Sequence, residues 1–319
     1  MQILVTGAAG FIGSNLCKRL LEAGHHVLGM DNFITSDASN LVDLKRFKKF
    51  TFIKHDITKP LPRKVQSSKF KVQSIYHLAC PTGVPNLGPL AEEMLLACSA
   101  GTRNMLELAL TRKAKFLLTS SSEVYGDPQV SPQTEEYTGN VSPTGIRSPY
   151  EEGKRFAESL VATYVRKYKL GACIVRVFNT YGPGMAKSDS RVIPRFLQQA
   201  INGKPLTIHG TGNQTRTFCY VDDLVDGLTL VMKKGKPGEV YNLGGDREYT
   251  IADVAKLIIK TTDSKSELKR VDRPAHDHQR RQPGLAKIRK LGWQQEVTLA
   301  RGLQLTISKY KEELLNTNK

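Results

Sequence analysis

The chain contains no run of about 18 apolar residues, the length that spans a bilayer as a helix, and no leader-like segment precedes its first strand pattern. Both absences predict a soluble, cytoplasmic protein. Cysteine is scarce: Cys17, Cys80, Cys98, Cys173 and Cys219 include no C-x-x-C pair, and they read as reduced, buried small residues. Internal repeats and low-complexity linkers are missing as well. The 319 residues are therefore read as one large domain or two closely joined ones around a substantial core. Acidic residues are the minority, 30 Asp and Glu against 47 Lys and Arg, which leaves a formal net charge of +17. The cations are scattered through KRFKK, PRK, VRKYK and KKGK without interleaved aromatics. That distribution predicts a solvated surface and argues against a nucleic-acid partner, although part of the excess suits an anionic ligand. His276 and His278 flank Asp277, but no further ligand lies nearby in the sequence, so no metal is expected.

What is present begins at the first residues. QILVTGAAGFIGSNLCKRLLEAG runs from a β-branched stretch through Gly7, Gly10 and Gly13 into an amphipathic helix. The spacing is G-x-x-G-x-x-G. Its glycines let the backbone approach a pyrophosphate, and the helix N-terminus offers unpaired N–H groups to it. Phe11 and Ile12 lie inside this turn. A second strand, HHVLGMD, ends at Asp31, followed by Asn32, at the distance expected of an acid that holds the adenosine ribose hydroxyls. A carboxylate there repels a 2′-phosphate, so the expected cofactor is NAD and not NADP. After LVDLKRF, read as a short helix, come the strands TFIKHDI and SIYHLAC, the long helix PLAEEMLLACSAGTRNMLELAL and the strand AKFLLTSS. Asp56 and Ile57 are placed to meet adenine, and Leu78 and Ala79 to back the dinucleotide.

This alternation predicts an α/β fold: a Rossmann-type, doubly wound parallel sheet with a smaller C-terminal substrate-binding lobe, ligands sitting at the carboxyl edge. Residues 1–178 form the NAD-binding domain, with 217–243 returning to it. Residues 179–216 and 244–319 form the lobe, and the Gly, Pro and Ser-rich NTYGPGMAKSDSR marks the crossing.

The most informative stretch runs from Thr119 to Lys154. Tyr150 and Lys154 are four apart in a helical pattern, which stacks phenol and ammonium on one face. A free phenol has a pKa of about 10; a fixed cation beside it favours phenolate, a base usable near neutrality. Ser121, at the end of AKFLLTSS, supplies a hydroxyl to the same substrate oxygen. Arg191 and Arg216 are candidates for a diphosphate clamp.

The chain resembles the extended short-chain dehydrogenase/reductases over nearly its whole length, and within them the UDP-glucuronate decarboxylases. The matching segments are the loop Pro81 to Asn86, SEVYGDPQVSPQTEEYTGNVSPTGIRSPYEEGKR, FNTYGP, GNQTRTFCYVDDLVDGL, YNLGG, and RRQP followed by LGW. The resemblance implies a Ser121, Tyr150 and Lys154 triad, a second acid–base pair at Ser122 and Glu123, and an essential arginine at Arg281. It further implies UDP contacts from Asn179, Arg191, Leu206 and Arg216, substrate contacts from Pro81 and Arg281, cofactor contacts from Tyr150 and Lys154, and pairing of subunits through the helices near 90–110 and 150–168. An acid at Glu123 marks relatives that act at C5 after oxidation at C4. Simple 4-epimerases usually carry a small or hydroxyl residue there, and 4,6-dehydratases an Asp-Glu pair where this chain has Ser122 and Glu123. Four positions depart from the pattern: Gly184 in place of arginine, Cys98 in place of asparagine, Ser190 in place of glycine and Gly284 in place of aspartate.

Overall fold

The computed structural model describes residues 1–66, 70–186, 189–272 and 280–317. Seven parallel strands make the main sheet: β1 (Gln2–Thr6), β2 (His26–Asp31), β3 (Phe50–Lys54), β4 (Ser74–His77), β5 (Lys115–Ser121), β6 (Ala172–Val177) and β7 (Val240–Leu243). Their spatial order is β3-β2-β1-β4-β5-β6-β7. The chain winds outward one way from β1 and then the other way from β4. The crevice at the carboxyl ends of β1 and β4 is where such sheets bind ligands, and Thr6 there lies opposite both Met30 and His77.

Strands buried on both faces read as apolar runs instead of alternating ones. β4 is buried throughout, and β5 at every residue but its two ends. Successive side chains still divide between the faces, since Cβ direction alternates along a strand. Ile3, Val5 and Leu117 join one hydrophobic cluster; Leu4, Phe116 and Leu118 join the other.

Four helical segments position the site: α1 (Phe11–Glu22), α2 (Ala91–Leu96), α3 (Thr102–Arg112) and α4 (Ser148–Tyr168). The single long helix expected over 89–110 is broken by a π-turn at Ala97–Gly101. Gly101 within it packs closely on Ile57, whose Cδ1 would lie 2.5 Å from a Cβ at that position. The stretch expected as one short helix over LVDLKRF is instead two 3₁₀ turns, Ala38–Leu41 and Leu44–Arg46. Its buried anchors, Leu41 and Leu44, are three residues apart, the period of the tighter turn.

Three small sheets complete the chain. Leu206–His209 pairs in parallel with Leu268–Val271, and Thr180–Tyr181 with Cys219–Tyr220. Thr215–Thr217 is flanked by Glu248–Thr250 and Arg280–Arg281, which carries Arg281 toward the cleft. One apolar cluster joins Val5 and Leu16 to Leu224, Leu206, Val254 and Ile258, so these sheets share a core with one face of the main sheet. Among the described residues no helix is long and apolar enough to cross a membrane.

Candidate active site

A cleft of about 2430 Å³ opens at the carboxyl edge of the sheet. Sites for a single small ligand run roughly 300–1,000 Å³, so this one has room for a dinucleotide and a second ligand together. Gly7, Gly10, Phe11, Ile12 and Gly13 form one end. Gly7 has φ +71 and lies against the backbone of Ala79; a Cβ on Gly13 would sit 1.9 Å from the Gly7 carbonyl oxygen. No side chain caps α1, leaving its first-turn amides facing the cradle. These features fit a pyrophosphate.

Asp31 ends β2 on the same wall. Its carboxylate accepts from the Ala9 amide (3.0 Å), the Phe33 amide (2.8 Å) and Ser36 Oγ (2.8 Å), which fixes its direction. Asn32, Asp56, Ile57, Leu78 and Ala79 also line the cleft. Asp56 accepts from the Thr58 amide and hydroxyl. The Leu78 and Ala79 amides both donate to Thr6 Oγ1 at 3.2 Å, holding that turn against Gly7.

At the centre, Ser121 closes β5 and Tyr150 and Lys154 project from α4, all three on the cleft wall. Lys154 is 5% exposed and donates to the Thr119 carbonyl at 3.0 Å, its Nζ 5.8 Å from the Tyr150 ring centroid. Burial disfavours the Lys154 charge, but Cys80, Cys98, Tyr150 and Glu158 outweigh it and raise the ammonium's pKa. Tyr150 departs from expectation. Burial lifts its pKa above the ordinary 10, and the opposing pull of Lys154 and of hydrogen bonds with Ser121 and Thr82 does not cancel it. Lys154 alone therefore leaves the phenol protonated near neutrality, and it takes added positive potential to make it a base.

Glu123 stands beside this triad in the turn Ser122–Tyr125, and its own amide donates to the capping Ser121 Oγ at 3.2 Å. Ser122 is buried and on the cleft wall. The Glu123 carboxylate is gripped from two sides, by Arg281 Nη1 and by Arg147 Nη2 at 2.5 Å. Burial pushes its pKa up, but the two guanidinium groups win and hold it far below the carboxylate range. Arg281 also donates to the Gly126 carbonyl at 3.3 Å.

Arg147 was not among the residues singled out from the sequence. It precedes α4 as its N-cap residue and reaches Glu151 as well, Nε to Oε1 3.1 Å. The signal was the i, i+4 spacing of Arg147 and Glu151 in GIRSPYE, which reads as an ordinary helix pair until Glu123 arrives from β5.

Pro81, Asn179, Arg191 and Arg216 line the cleft as well. Arg191 is held by Asp189, Nη2 to Oδ2 2.5 Å, and Arg216 donates to the Thr215 carbonyl. Leu206 does not reach the cleft. Its side chain is fully buried, because it opens the strand that pairs with Leu268–Val271 and points into the shared core. Gly184, at φ +89, lies on the cleft wall beside Asn40, which donates to its carbonyl at 3.2 Å. Ser190 lines the cleft too, whereas Gly284 is tied to the Gln133 carbonyl away from it. His276, Asp277 and His278 lie outside the described residues. Among the described ones, no group of three or more His, Cys, Asp or Glu is arranged to hold a metal.

The profile of the NAD dependent epimerase/dehydratase family matches residues 3–244. The chain belongs to that family. A UDP-glucuronic acid decarboxylase 6 of Arabidopsis thaliana is 42% identical over 96% of this chain and 87% of its own length. A UDP-glucuronic acid decarboxylase 1 of Xenopus tropicalis is 41% identical over 98% of this chain and 73% of its own. The crystal structure of a UDP-glucuronic acid 4-epimerase from Bacillus cereus, in complex with UDP-glucuronic acid and NAD, superposes with a TM-score of 0.87 at 30% identity, over 98% of this chain and all of that one. Within an NAD-dependent epimerase/dehydratase, the glycine cradle, the uncapped α1 and Asp31 are the groups that fit the dinucleotide.

Proposed function

We propose that the protein decarboxylates UDP-glucuronate to UDP-xylose through a UDP-4-keto intermediate, recycling NAD. The observation that carries this reading is the placement of Glu123, locked in its ionised form between Arg281 and Arg147 next to Ser121 and Tyr150. An epimerase needs only the triad. An ionised acid and two cations one step further along the cleft suit a substrate with a carboxylate at the carbon next to C4.

NAD supplies a hydride acceptor for C4, returns that hydride at the end, and carries a positive nicotinamide charge. Tyr150 takes the proton of the sugar 4-hydroxyl, with Lys154 stabilising the phenolate. Oxidation at C4 makes the sugar a β-keto acid, so the C5 carboxylate leaves as CO2 while its bonding electrons pass into the C4 carbonyl. Ser121 and the reprotonated Tyr150 donate to the resulting enolate oxygen. Glu123, Ser122 and Arg281 orient the departing carboxylate and direct protonation at C5.

Asn179, Arg191 and Arg216 hold the UDP moiety in this reading, and Pro81 borders the sugar. Residues 1–178 with 217–243 serve as the NAD domain and 179–216 with 244–319 as the substrate lobe. Leu95 and Leu96 on α2 and Phe156 on α4 are all more than two-fifths exposed. Apolar exposure on these two adjacent helices supports pairing with a second copy of the chain. The five cysteines are free thiols, in keeping with a reducing, cytoplasmic setting.

The test is to incubate the purified protein with NAD and UDP-glucuronate and follow the sugar by NMR. UDP-xylose with CO2 is the expected result. UDP-galacturonate would establish the second reading, a 4-epimerase, which the superposition on the Bacillus cereus enzyme favours. A 4-keto-6-deoxy product from a nucleotide hexose would indicate a 4,6-dehydratase. No turnover with any nucleotide sugar would overturn the enzyme reading.

A further inference from the structure

The catalytic helix is backed by two thiols. Cys80, just past β4, lines the cleft, and Cys98, 2% exposed, sits in the π-turn that interrupts the helix between α2 and α3. Their sulfurs are 3.5 Å apart. On its other side Cys98 touches α4 at Gly153, the residue before Lys154: a Cβ there would lie 3.3 Å from Cys98 Cβ and 3.4 Å from its Sγ. Cys98 is thus wedged between Cys80 and the segment that carries Tyr150 and Lys154. We infer that Cys80 and Cys98 form a reversible dithiol–disulfide couple, oxidised by hydroperoxides, whose oxidised form slows turnover.

The chemistry favours this pair over the other cysteines. The hydrogen bond with Cys98 draws the Cys80 pKa below the ordinary thiol value, with burial opposing and Lys154 helping. Burial raises Cys173 to about 11 and pushes Cys17 and Cys219 higher still. Thiolate is the nucleophilic form, so Cys80 is the thiol placed to react first, and the cleft gives a small peroxide access to it. Its sulfur attacks one peroxide oxygen, the O–O bond breaks, and a sulfenic acid and water result. The Cys98 sulfur then attacks the sulfenic sulfur, the S–O bond breaks, and the hydroxyl leaves with the Cys98 proton as a second water. Two thiols and one hydrogen peroxide become one disulfide and two waters, the two electrons passing from sulfur to oxygen. A dithiol reductant reverses the step by exchange.

To bond, the sulfurs must close from 3.5 Å to about 2.05 Å. The movement draws Cys98 off Gly153 and shifts the π-turn against α4. Interiors are close-packed and pass such displacements on, so the phenol and ammonium lose their alignment with Ser121.

The activity readout rests on the proposed decarboxylase reading, whereas the cross-link readout does not. The full chain is treated with graded hydrogen peroxide and mapped as non-reduced peptides, and its turnover of UDP-glucuronate and its NAD affinity are measured before and after dithiothreitol. A Cys80–Cys98 peptide is expected to appear as kcat falls by about tenfold or more, and dithiothreitol should reverse both. Cys98→Ser, with Cys98→Ala as a second variant, should keep its own initial rate under peroxide. If the protein shows no turnover, the cross-link and a change in NAD affinity on oxidation decide the question. Failure to form the cross-link overturns the inference, as does a cross-linked protein with unchanged kcat and NAD affinity.

Discussion

Arg281 grips Glu123 from 158 residues away along the chain. The pair exists because the short strand Arg280–Arg281 adds to Thr215–Thr217 while β5 ends at Ser121, two residues before the acid. Arg147 takes the opposite oxygen, so the carboxylate is clamped on both sides. A group held this way stays ionised near neutrality, so in the proposed mechanism it acts through its charge and its position.

Glu123→Gln is therefore expected to lower kcat by about a hundredfold, the loss typical of one electrostatic group, and leave the Kd for NAD within about twofold, since the residue lies away from the glycine cradle. Steady-state kinetics and cofactor titration check this together. A Glu123→Gln enzyme running at the parent rate would remove the residue from the mechanism.

The same clamp sets an acid limit on stability. The folded pKa of Glu123 is depressed by Arg281 and Arg147, although burial opposes them. Its stabilising contribution is therefore fully present above the unfolded carboxylate pKa of about 4.3 and is lost as pH falls below that toward the folded value. Tm measured from neutral pH downward should drop below about pH 5, and more steeply for the parent than for Glu123→Gln.

Arg147→Met removes one of the two cations while leaving Arg281 in place. The depression of the Glu123 pKa should shrink, and the acid limb of the kcat profile should move up in pH relative to the parent, which a merely structural loss would not do. Arg147→Lys retains the charge without the forked geometry and should sit between them. A limb unmoved in both variants would show that Arg281 alone fixes the charge of Glu123.

Much of this arrangement was readable in the sequence. The glycine cradle, Asp31, Ser121 and the Tyr150–Lys154 spacing each lie within one strand, turn or helix, where period and residue type decide position. What escaped depends on contacts between segments far apart in the chain. Arg147 looks like half of a local helix pair until β5 brings Glu123 against it. The family resemblance puts Leu206 among the UDP contacts, yet its side chain is buried in the core. The π-turn at Ala97–Gly101 carries no breaker residue except Gly101, which packs on Ile57 from a distant strand end.

Gly13→Ala should weaken NAD binding sharply with little loss of fold. The added methyl would have to occupy a point 1.9 Å from the Gly7 carbonyl oxygen, so the turn must open and the cradle loses its shape. Equilibrium titration should show at least about a hundredfold weaker NAD binding, with far-UV circular dichroism unchanged.

Asp189 and Arg191 bear on how the substrate end of the cleft is filled. Arg191 spends its Nε and Nη2 on Asp189, and its backbone amide donates to the same carboxylate at 2.9 Å. A diphosphate offering equivalent oxygens must compete with that carboxylate for one guanidinium. The pair is about two-fifths exposed on the arginine side, and exposed pairs are worth about 0.2–1 kcal/mol. Asp189→Asn, which keeps the shape and removes the charge, should thus lower KM for the UDP-sugar by no more than about fivefold, as that energy allows. In the proposed reading Arg191 holds the diphosphate and not the sugar, so kcat should not follow. A KM that rises instead would mean that Asp189 orients Arg191 toward the phosphates, with the ion pair serving as a brace.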